Sequence, residues 1–262
     1  MQENKKFKIV TSKKTRYLLP NILTLAGVCL GISSIKFSID GNFALAVTLI
    51  LFAAILDALD GRIARLIKGT SEFGKELDSL TDFVSFGIAP AFILYFWELN
   101  NYGKLGWAIT LIYSVCCVLR LARFNLTKIE ENADWKNNFF EGIPSPAGGL
   151  LVLMPLIYEL TNLDIGIQIK QLTPYLTVLV AILLVSKIPT LALKKITISP
   201  RATVFLLLGA GIVFIALLFY TLEALLVFGV SYLISIPVSV IIYRKHNKKN
   251  EKISDDNHED IL

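Results

Sequence analysis

Long apolar runs separated by short polar loops constrain this chain more than any other feature of its sequence. Of its 262 residues, 54% are apolar, and several runs approach the ~20 residues that a helix needs to cross a bilayer core. Backbone N–H and C=O groups in lipid must find partners within their own segment, so we expect these runs to be helices. The sequence therefore predicts an all-α polytopic membrane protein.

About eight transmembrane helices are predicted, forming one bundle over residues 17–245. The predicted spans are Leu18–Phe37, Asn42–Leu66, Leu77–Trp97, Leu105–Leu121, Pro146–Leu160, Pro174–Leu191, Ala202–Tyr220 and Leu222–Tyr243. Residues 1–16 are interpreted as a basic segment at the membrane surface. Residues 246–262 are polar and charged, and we expect a disordered tail there.

Positive charge alternates between successive loops, and this pattern predicts the orientation in the membrane. Lysine and arginine precede the first span, recur after the second, fourth and sixth spans, and return in the tail. The intervening loops carry few basic residues. Because basic loops are retained on the cytoplasmic side, both termini are expected in the cytoplasm. The net charge of +5 suits an anionic membrane surface better than a nucleic acid.

Histidine is missing from the membrane part of the chain, which restricts the chemistry available there. The two histidines, His246 and His258, both lie in the tail. Cys29, Cys116 and Cys117 lie in apolar runs, so neither a disulfide framework nor a zinc site is expected. A general base in the membrane region must therefore be a carboxylate or a less usual group, because the usual imidazole is absent.

Four aspartates lie where the second predicted span ends and the third begins. Asp57 and Asp60 fall on one face of the second helix. Asp78 and Asp82 are four residues apart, so they share a face of the third. A short loop makes the two helices antiparallel neighbours, and the two carboxylate pairs are therefore expected to converge.

Ionisable residues within membrane helices are costly and usually functional. Four carboxylates in one pocket would repel one another unless cations neutralised them, and hard divalent cations such as Mg²⁺ or Mn²⁺ prefer oxygen ligands. Gly61 and Ala64 are small and share the face of Asp57 and Asp60, which leaves room for a ligand. Arg65 adds positive charge where phosphates would lie. The sequence therefore predicts a divalent-metal site with space for a phosphate-bearing ligand.

The pattern D-x2-D-G-x2-A-R-x8-G-x3-D-x3-D runs through residues 57–82. It resembles the signature of the CDP-alcohol phosphotransferases at every position. The resemblance implies that Asp57, Asp60 and Asp78 are metal ligands. It further implies that Asp82 is the general base and lies near a second metal.

The same resemblance implies a site for a cytidine nucleotide and its phosphates, lined by Gly61, Ala64, Arg65, Ser71 and Gly74. The segment Pro20-Asn21-x-x-Thr24, which opens the first span, is also similar to the family's. Asn21 and Thr24 would touch the nucleotide there. Helix capping at the interface explains these two residues almost as well.

Three further segments resemble the bacterial-type phosphatidylserine synthases within this family: residues 71–91, 119–125 and 140–147. In the second of these, Arg120 and Arg123 are candidates to hold the carboxylate of serine bidentately. Asn125 and Ser145 are candidates to add hydrogen bonds. Ordinary positive-inside anchoring explains the two arginines without any ligand.

The resemblance implies transfer of the phosphatidyl group of CDP-diacylglycerol to L-serine, with release of CMP. It also implies a homodimer. The loop charges predict that the active site faces the cytoplasm from the inner (cytoplasmic) membrane. Glycerol 3-phosphate and inositol phosphate are alternative acceptors. Because each carries a phosphate, we would expect a denser basic pocket for them. A cation transporter is an alternative from another class, but the carboxylates cluster at one end and the later helices hold no matching acids. A covalent phosphatidyl-aspartate is an alternative to direct displacement.

Overall fold

The computed structural model describes residues 13–67, 69, 71–127, 139–161, 163, 166, 168–191 and 200–259. Ten α-helices and two short strands follow one another within these residues. The first half contains α1 Lys13–Ile39, α2 Phe43–Leu66, α3 Glu72–Asp82, α4 Ala89–Trp97 and α5 Lys104–Thr127. The second half contains β1 Phe139–Glu141, α6 Ser145–Val152, α7 Met154–Leu160, α8 Ile169–Val185, β2 Pro189–Leu191, α9 Pro200–Phe219 and α10 Thr221–Glu259.

Helices of membrane-spanning length confirm the predicted all-α polytopic fold. Within the described residues, five segments are long and apolar enough to cross a bilayer: Leu18–Ile39, Phe43–Leu66, Glu72–Trp97, Lys104–Leu126 and Thr221–Tyr243. The third of these is α3 and α4 joined by a π-helix over Phe83–Ile88. α8 and part of α9 are shorter apolar helices, at Ile169–Val185 and Leu207–Phe219.

The fifth and sixth predicted spans differ from the observed helices. The fifth is divided at Leu153 into α6 and α7, because Pro155 has no N–H with which to continue the helix. The sixth, α8, begins before Pro174 and ends at Val185. Pro189 then begins strand β2, which pairs antiparallel with β1 through Phe140 and Thr190.

The last helix extends well beyond the membrane span that the sequence predicts for it. We expected residues 246–262 to form a disordered tail, whereas α10 continues through Glu259. No glycine or proline follows Pro237 in this helix, and the four lysines after Tyr243 are good helix formers. The basic segment predicted at the N-terminus falls mostly on residues 1–12, which lie outside the described residues.

Close packing of α1 against the third span brings the site together. A tight turn at Gly41, where φ is 78°, folds α2 back along α1. Gly31 is so close to the third span that an added Cβ would lie 2.8 Å from Ser85 Oγ. Ser85 also donates a hydrogen bond to Gly27 O at 3.2 Å. Small residues of this kind let membrane helices approach closely, so the C-terminal end of α2, the start of α1 and α3 meet at one place.

Candidate active site

Three of the four predicted aspartates form a compact acidic cluster. Asp57 and Asp60 on α2 and Asp78 on α3 each offer one carboxylate oxygen, and these oxygens all lie within 4.8 Å of one another. Asp60 is buried and the other two are half-buried. Carboxylates this close repel one another unless a cation lies among them, and an all-oxygen set of this kind suits a hard divalent cation. The cluster therefore has the chemistry and spacing of a divalent-metal site.

Asp82, the last residue of α3, lies beside this cluster. Its carboxylate is within hydrogen-bonding reach of Asp57, and the charges of Asp78 and Asp60 also act on it. Its Oδ1 atom is buried and has no hydrogen-bond partner among the described residues. A buried carboxylate oxygen without a partner is unfavourable. This atom therefore fits a site in which a cation or a substrate hydroxyl provides the missing contact.

Thr24 connects α1 to the acidic cluster. Its hydroxyl lies 2.6 Å from Asp60 Oδ2 and 2.9 Å from Pro20 O, so its single hydrogen can be donated to the carboxylate. Thr24 is itself buried. A donor of this kind fixes the orientation of a carboxylate that has to ligate a metal.

A cavity of about 320 Å³ opens beside Asp60 and Asp78. Its volume lies within the range of small-ligand sites. Its lining includes every residue for which the resemblance implies a nucleotide or phosphate contact, namely Asn21, Thr24, Gly61, Ala64, Arg65, Ser71 and Gly74. The structure therefore brings residues of α1, α2 and α3 to one cavity at the edge of the acidic cluster.

Local geometry explains two of the glycines in this lining. No described atom lies within 4 Å of the position that a Cβ on Gly61 would take, so that face of α2 is open. A Cβ on Gly74 would lie 3.1 Å from Ser71 Oγ and 3.3 Å from Asn21 Oδ1. Ser71 caps α3 by accepting a hydrogen bond from the Gly74 N–H at 2.9 Å. The N-terminus of α3 thus borders the cavity, where its backbone N–H groups and dipole favour an anion.

Arg120 and Ser145, two of the four residues predicted to contact the acceptor, lie around Cys117, which is within electrostatic range of Asp82. Arg120 is buried, donates from Nε to Ile143 O at 2.8 Å, and places its guanidinium 5.2 Å from the centre of the Phe124 ring. Cys117 is buried next to both: its thiol is within hydrogen-bonding reach of Ser145 and within electrostatic range of Asp82 and Arg120. The structure thus gathers a cation, a hydroxyl and the Asp82 carboxylate around one thiol.

Arg123 and Asn125, the other two predicted acceptor contacts, connect helices. Arg123 donates from Nη1 to the carbonyl of Val185, the last residue of α8, at 2.6 Å. A cation at a helix C-terminus is favourable in its own right. Asn125 donates from Nδ2 to Ser79 Oγ on α3 at 2.9 Å. Each of these side chains therefore has a structural role that the sequence did not reveal.

Tyr232 on α10 is a further polar residue near Arg120, and no motif marks it in the sequence. Its hydroxyl is buried, has no hydrogen-bond partner among the described residues, and lies beside Thr190 of β2. Thr190 directs its own hydroxyl to Gly142 O at 2.8 Å. Tyrosine is common in membrane helices, so only the packing of α10 against β2 reveals this position.

Residues 17–185 match the sequence profile of the family described as CDP-alcohol phosphatidyltransferase. The chain belongs to the CDP-alcohol phosphatidyltransferase family. The matched region runs from α1 to the end of α8 and contains the acidic cluster, Asp82 and the cavity. Tyr232 lies beyond it.

Several relatives of this family member carry the name CDP-diacylglycerol–serine O-phosphatidyltransferase. The protein of Mycobacterium tuberculosis (strain ATCC 25618 / H37Rv) is 34% identical over 224 residues, which are 85% of this chain and 78% of the relative. That of Helicobacter pylori (strain 26695) is 36% identical over 218 residues, which are 83% and 89% of the two proteins. That of Mycobacterium leprae is 39% identical over 193 residues, 72% of this chain. The match spans only 63% of the M. leprae protein's length.

We predict that Thr24→Val weakens metal binding at the acidic cluster. The substitution removes the donor to Asp60 without changing the size of the side chain, and loss of such a contact typically lowers metal affinity about 10-fold or more. The affinity is measured from the rise in melting temperature of the purified protein as Mn²⁺ is added. Thr24→Ser keeps the hydroxyl and should bind Mn²⁺ normally.

Thr48→Val is the matched control for this experiment, because Thr48 on α2 donates to Ala44 O one turn earlier, at 2.8 Å. It should leave the Mn²⁺ affinity unchanged. Equal affinities for Thr24→Val and Thr48→Val would contradict the role given to Thr24.

Proposed function

We propose that this protein transfers the phosphatidyl group of CDP-diacylglycerol to the hydroxyl of L-serine, forming phosphatidylserine and CMP. The observation that carries the proposal is the position of Asp82. It lies beside the acidic cluster and also within electrostatic range of Cys117, which is next to Arg120 and Ser145. A donor bound at the cluster and an acceptor bound near Arg120 would therefore meet at the same carboxylate. The names of the relatives support serine as the acceptor.

The cavity is the proposed site of the donor's cytidine nucleotide and phosphates. Asn21, Arg65 and the N-terminus of α3 border it with hydrogen-bonding groups and positive charge, which suits phosphates. The open face of α2 at Gly61 lets the nucleotide approach the backbone. The acyl chains of the donor would remain in the bilayer beside these helices.

The acidic cluster is the proposed site of Mg²⁺ or Mn²⁺. Asp57, Asp60 and Asp78 would ligate the ion, and Asp82 borders them closely enough to contribute to a second one. When bound, a divalent cation would neutralise the pyrophosphate and stabilise the charge on departing CMP. The unpartnered Oδ1 of Asp82 and the close spacing of the three carboxylates support this assignment.

Asp82 is the proposed general base. It would accept the proton of the serine hydroxyl while the serine oxygen attacks the phosphorus that carries the diacylglycerol. The bond between that phosphorus and the CMP oxygen breaks in the same displacement, and CMP leaves. No covalent phosphatidyl-enzyme is needed in this scheme. Isotope exchange between CMP and CDP-diacylglycerol without serine would favour the covalent alternative.

Arg120 is the proposed partner of the serine carboxylate. It carries a buried positive charge beside Ser145 and Asp82, and guanidinium groups bind carboxylates strongly. The buried hydroxyl of Tyr232 is within electrostatic range of Arg120 and is a further proposed contact. Arg123 and Asn125 remain candidates, but each would have to give up its helix-linking contact, to Val185 O or to Ser79.

We further propose an inner-membrane protein whose active site faces the cytoplasm, where serine is dissolved. The alternation of basic loops supports this orientation. A homodimer, implied by the resemblance, remains a prediction.

Acceptor choice is tested with purified protein in liposomes that contain CDP-diacylglycerol and a divalent cation. CMP release is measured with serine, glycerol 3-phosphate and inositol phosphate, and we expect release with serine alone. Release with glycerol 3-phosphate but not serine would overturn the acceptor assignment. Cation flux through the same liposomes, with no CMP release from any acceptor, would favour a transporter instead.

We predict that Asp82→Asn lowers kcat by about 10²-fold or more, because general base catalysis typically contributes 10²–10⁴-fold. Binding of CDP-diacylglycerol should be largely retained, since Asp82 is not part of the cavity lining. Asp40→Asn is the control and should leave kcat unchanged. Asp40 follows α1, is exposed and forms an ion pair with Lys36 in the last turn of that helix. Near-normal turnover by Asp82→Asn would show that another group is the base.

We predict that Gly61→Ala raises the KM for CDP-diacylglycerol without destabilising the protein. The added methyl group would enter the open side of the cavity and contact no described atom within 4 Å. Gly209→Ala is the matched control, because Gly209 also lies in a helix with open space around it. An equal KM for both variants would argue against a nucleotide at this face of α2.

A further inference from the structure

The third membrane span departs from α-helical hydrogen bonding directly after the proposed base, and a proline follows eight residues later. Asp82 ends α3, the π-helix occupies Phe83–Ile88, and Pro90 is the second residue of α4. Proline has no N–H, so the carbonyl four residues earlier, that of Phe86, loses its usual α-helical donor. The π-helix at this point is hydrogen-bonded between residues five apart, and the Ala89 N–H donates to Val84 O.

Tyr113 on α5 supplies a donor to this carbonyl. Its Oη donates to Phe86 O at 2.8 Å. Both Tyr113 and Phe86 are completely buried, so water cannot readily replace this hydrogen bond. A buried backbone carbonyl in a membrane protein needs a partner from the protein itself. The tyrosine hydroxyl thus provides a contact that Pro90 cannot.

The residues of the π-helix are held in place by three different neighbours. Ser85 contacts α1 at Gly31, where an added Cβ would lie 2.8 Å from its Oγ. Phe86 packs on α6, where an added Cβ on Gly149 would lie 3.0 Å from Phe86 Cβ. An added Cβ on Gly87 would lie 3.1 Å from Cys117 Sγ on α5. These close contacts fix the orientation of the π-helix at Ser85, Phe86 and Gly87.

The extra residue of a π-turn sets how the two ends of this span are rotated relative to each other. Replacing a π-turn by an α-turn shifts the register by one residue, which is about 100° of rotation. Since Ser85, Phe86 and Gly87 are fixed by their neighbours, such a change would rotate α3. Asp78 and Asp82 would then turn away from Asp57 and Asp60.

We propose that Tyr113 is a positioning residue for Asp82. By holding the Phe86 carbonyl it maintains the π-helix, and the π-helix keeps the Asp82 carboxylate directed at Asp57 and the acidic cluster. The inference rests on the proposed function for the role of Asp82 as base. Tyr113 touches neither substrate in this scheme and acts only through the backbone of the third span.

The experiment compares Tyr113→Phe with Thr110→Val. Tyr113→Phe keeps the aromatic ring and removes only the hydroxyl. Thr110 is the matched control, because it is buried on the same helix and donates to Gly106 O at 2.9 Å. We expect Tyr113→Phe to lower kcat about 10-fold, as for loss of a group that orients a site residue. Its KM for CDP-diacylglycerol should rise as well, because Gly74 and Asp78 of α3 line the cavity. Thr110→Val should change neither.

Mn²⁺ affinity, measured from the rise in melting temperature, provides a readout that does not depend on turnover. Tyr113→Phe should weaken it several-fold because Asp78 is carried on the same helix as Asp82, whereas Thr110→Val should leave it unchanged. An Mn²⁺ affinity and a kcat within twofold of the unaltered protein would overturn the inference. The Mn²⁺ measurement also separates the two proposals, since it remains informative if serine proves not to be the acceptor.

A double-mutant cycle with Pro90→Ala tests the mechanism directly. Alanine restores an N–H at position 90, so the Phe86 carbonyl no longer depends on Tyr113. The effect of Tyr113→Phe on kcat should therefore be much smaller in the Pro90→Ala background, because the two residues act on one carbonyl. Additive losses in the double variant would show that Tyr113 contributes only general packing, and would overturn the inference.

Discussion

Mutual repulsion among carboxylates at a membrane is the constraint on which the rest of the structure depends. Asp57, Asp60 and Asp78 bring oxygens to within 4.8 Å of one another, and Asp82 lies beside them. Such an arrangement persists only if the helices hold the side chains together and a cation offsets their charge. The glycines of α1, the hydroxyl of Thr24 and the cap at Ser71 all serve to keep α1, α2 and α3 in this close arrangement.

Much of the site could be predicted because its residues are close in sequence as well as in space. The spacing of Asp57 to Asp82 follows helix periodicity, and a short loop is enough to bring α2 and α3 together. The cavity lining, including Asn21 and Thr24 of α1, was implied by the resemblance to the family rather than by spacing. On the proposed acceptor side, the partners of the side chains could not be predicted, because they depend on contacts between distant segments: Arg120 with Ile143, Arg123 with Val185, and α10 with β2.

The helices show the same distinction between local and long-range causes. Apolar length was sufficient to predict the long spans, since it is a property of each segment alone. The breaks were harder to place. Pro155 divides a predicted span, whereas Pro90 leaves its span continuous. At Pro90 the span stays continuous because a π-helix precedes the proline and the Tyr113 hydroxyl of α5 donates a hydrogen bond to the Phe86 carbonyl. No property of residues 83–90 alone predicts this contact.

The pairing of strands β1 and β2 has a consequence for how the choice of acceptor can evolve in such an enzyme. Gly142 follows β1, donates its N–H to Ile188 O at 2.8 Å and accepts a hydrogen bond from Thr190. The next residue, Ile143, provides the carbonyl that holds Arg120. The Arg120 side chain of the proposed acceptor side thus depends on a strand pair and a loop carbonyl that, among the described residues, contribute nothing to the acidic cluster. Evolution can remodel these loops to accept a different alcohol while the ancestral donor chemistry is inherited intact.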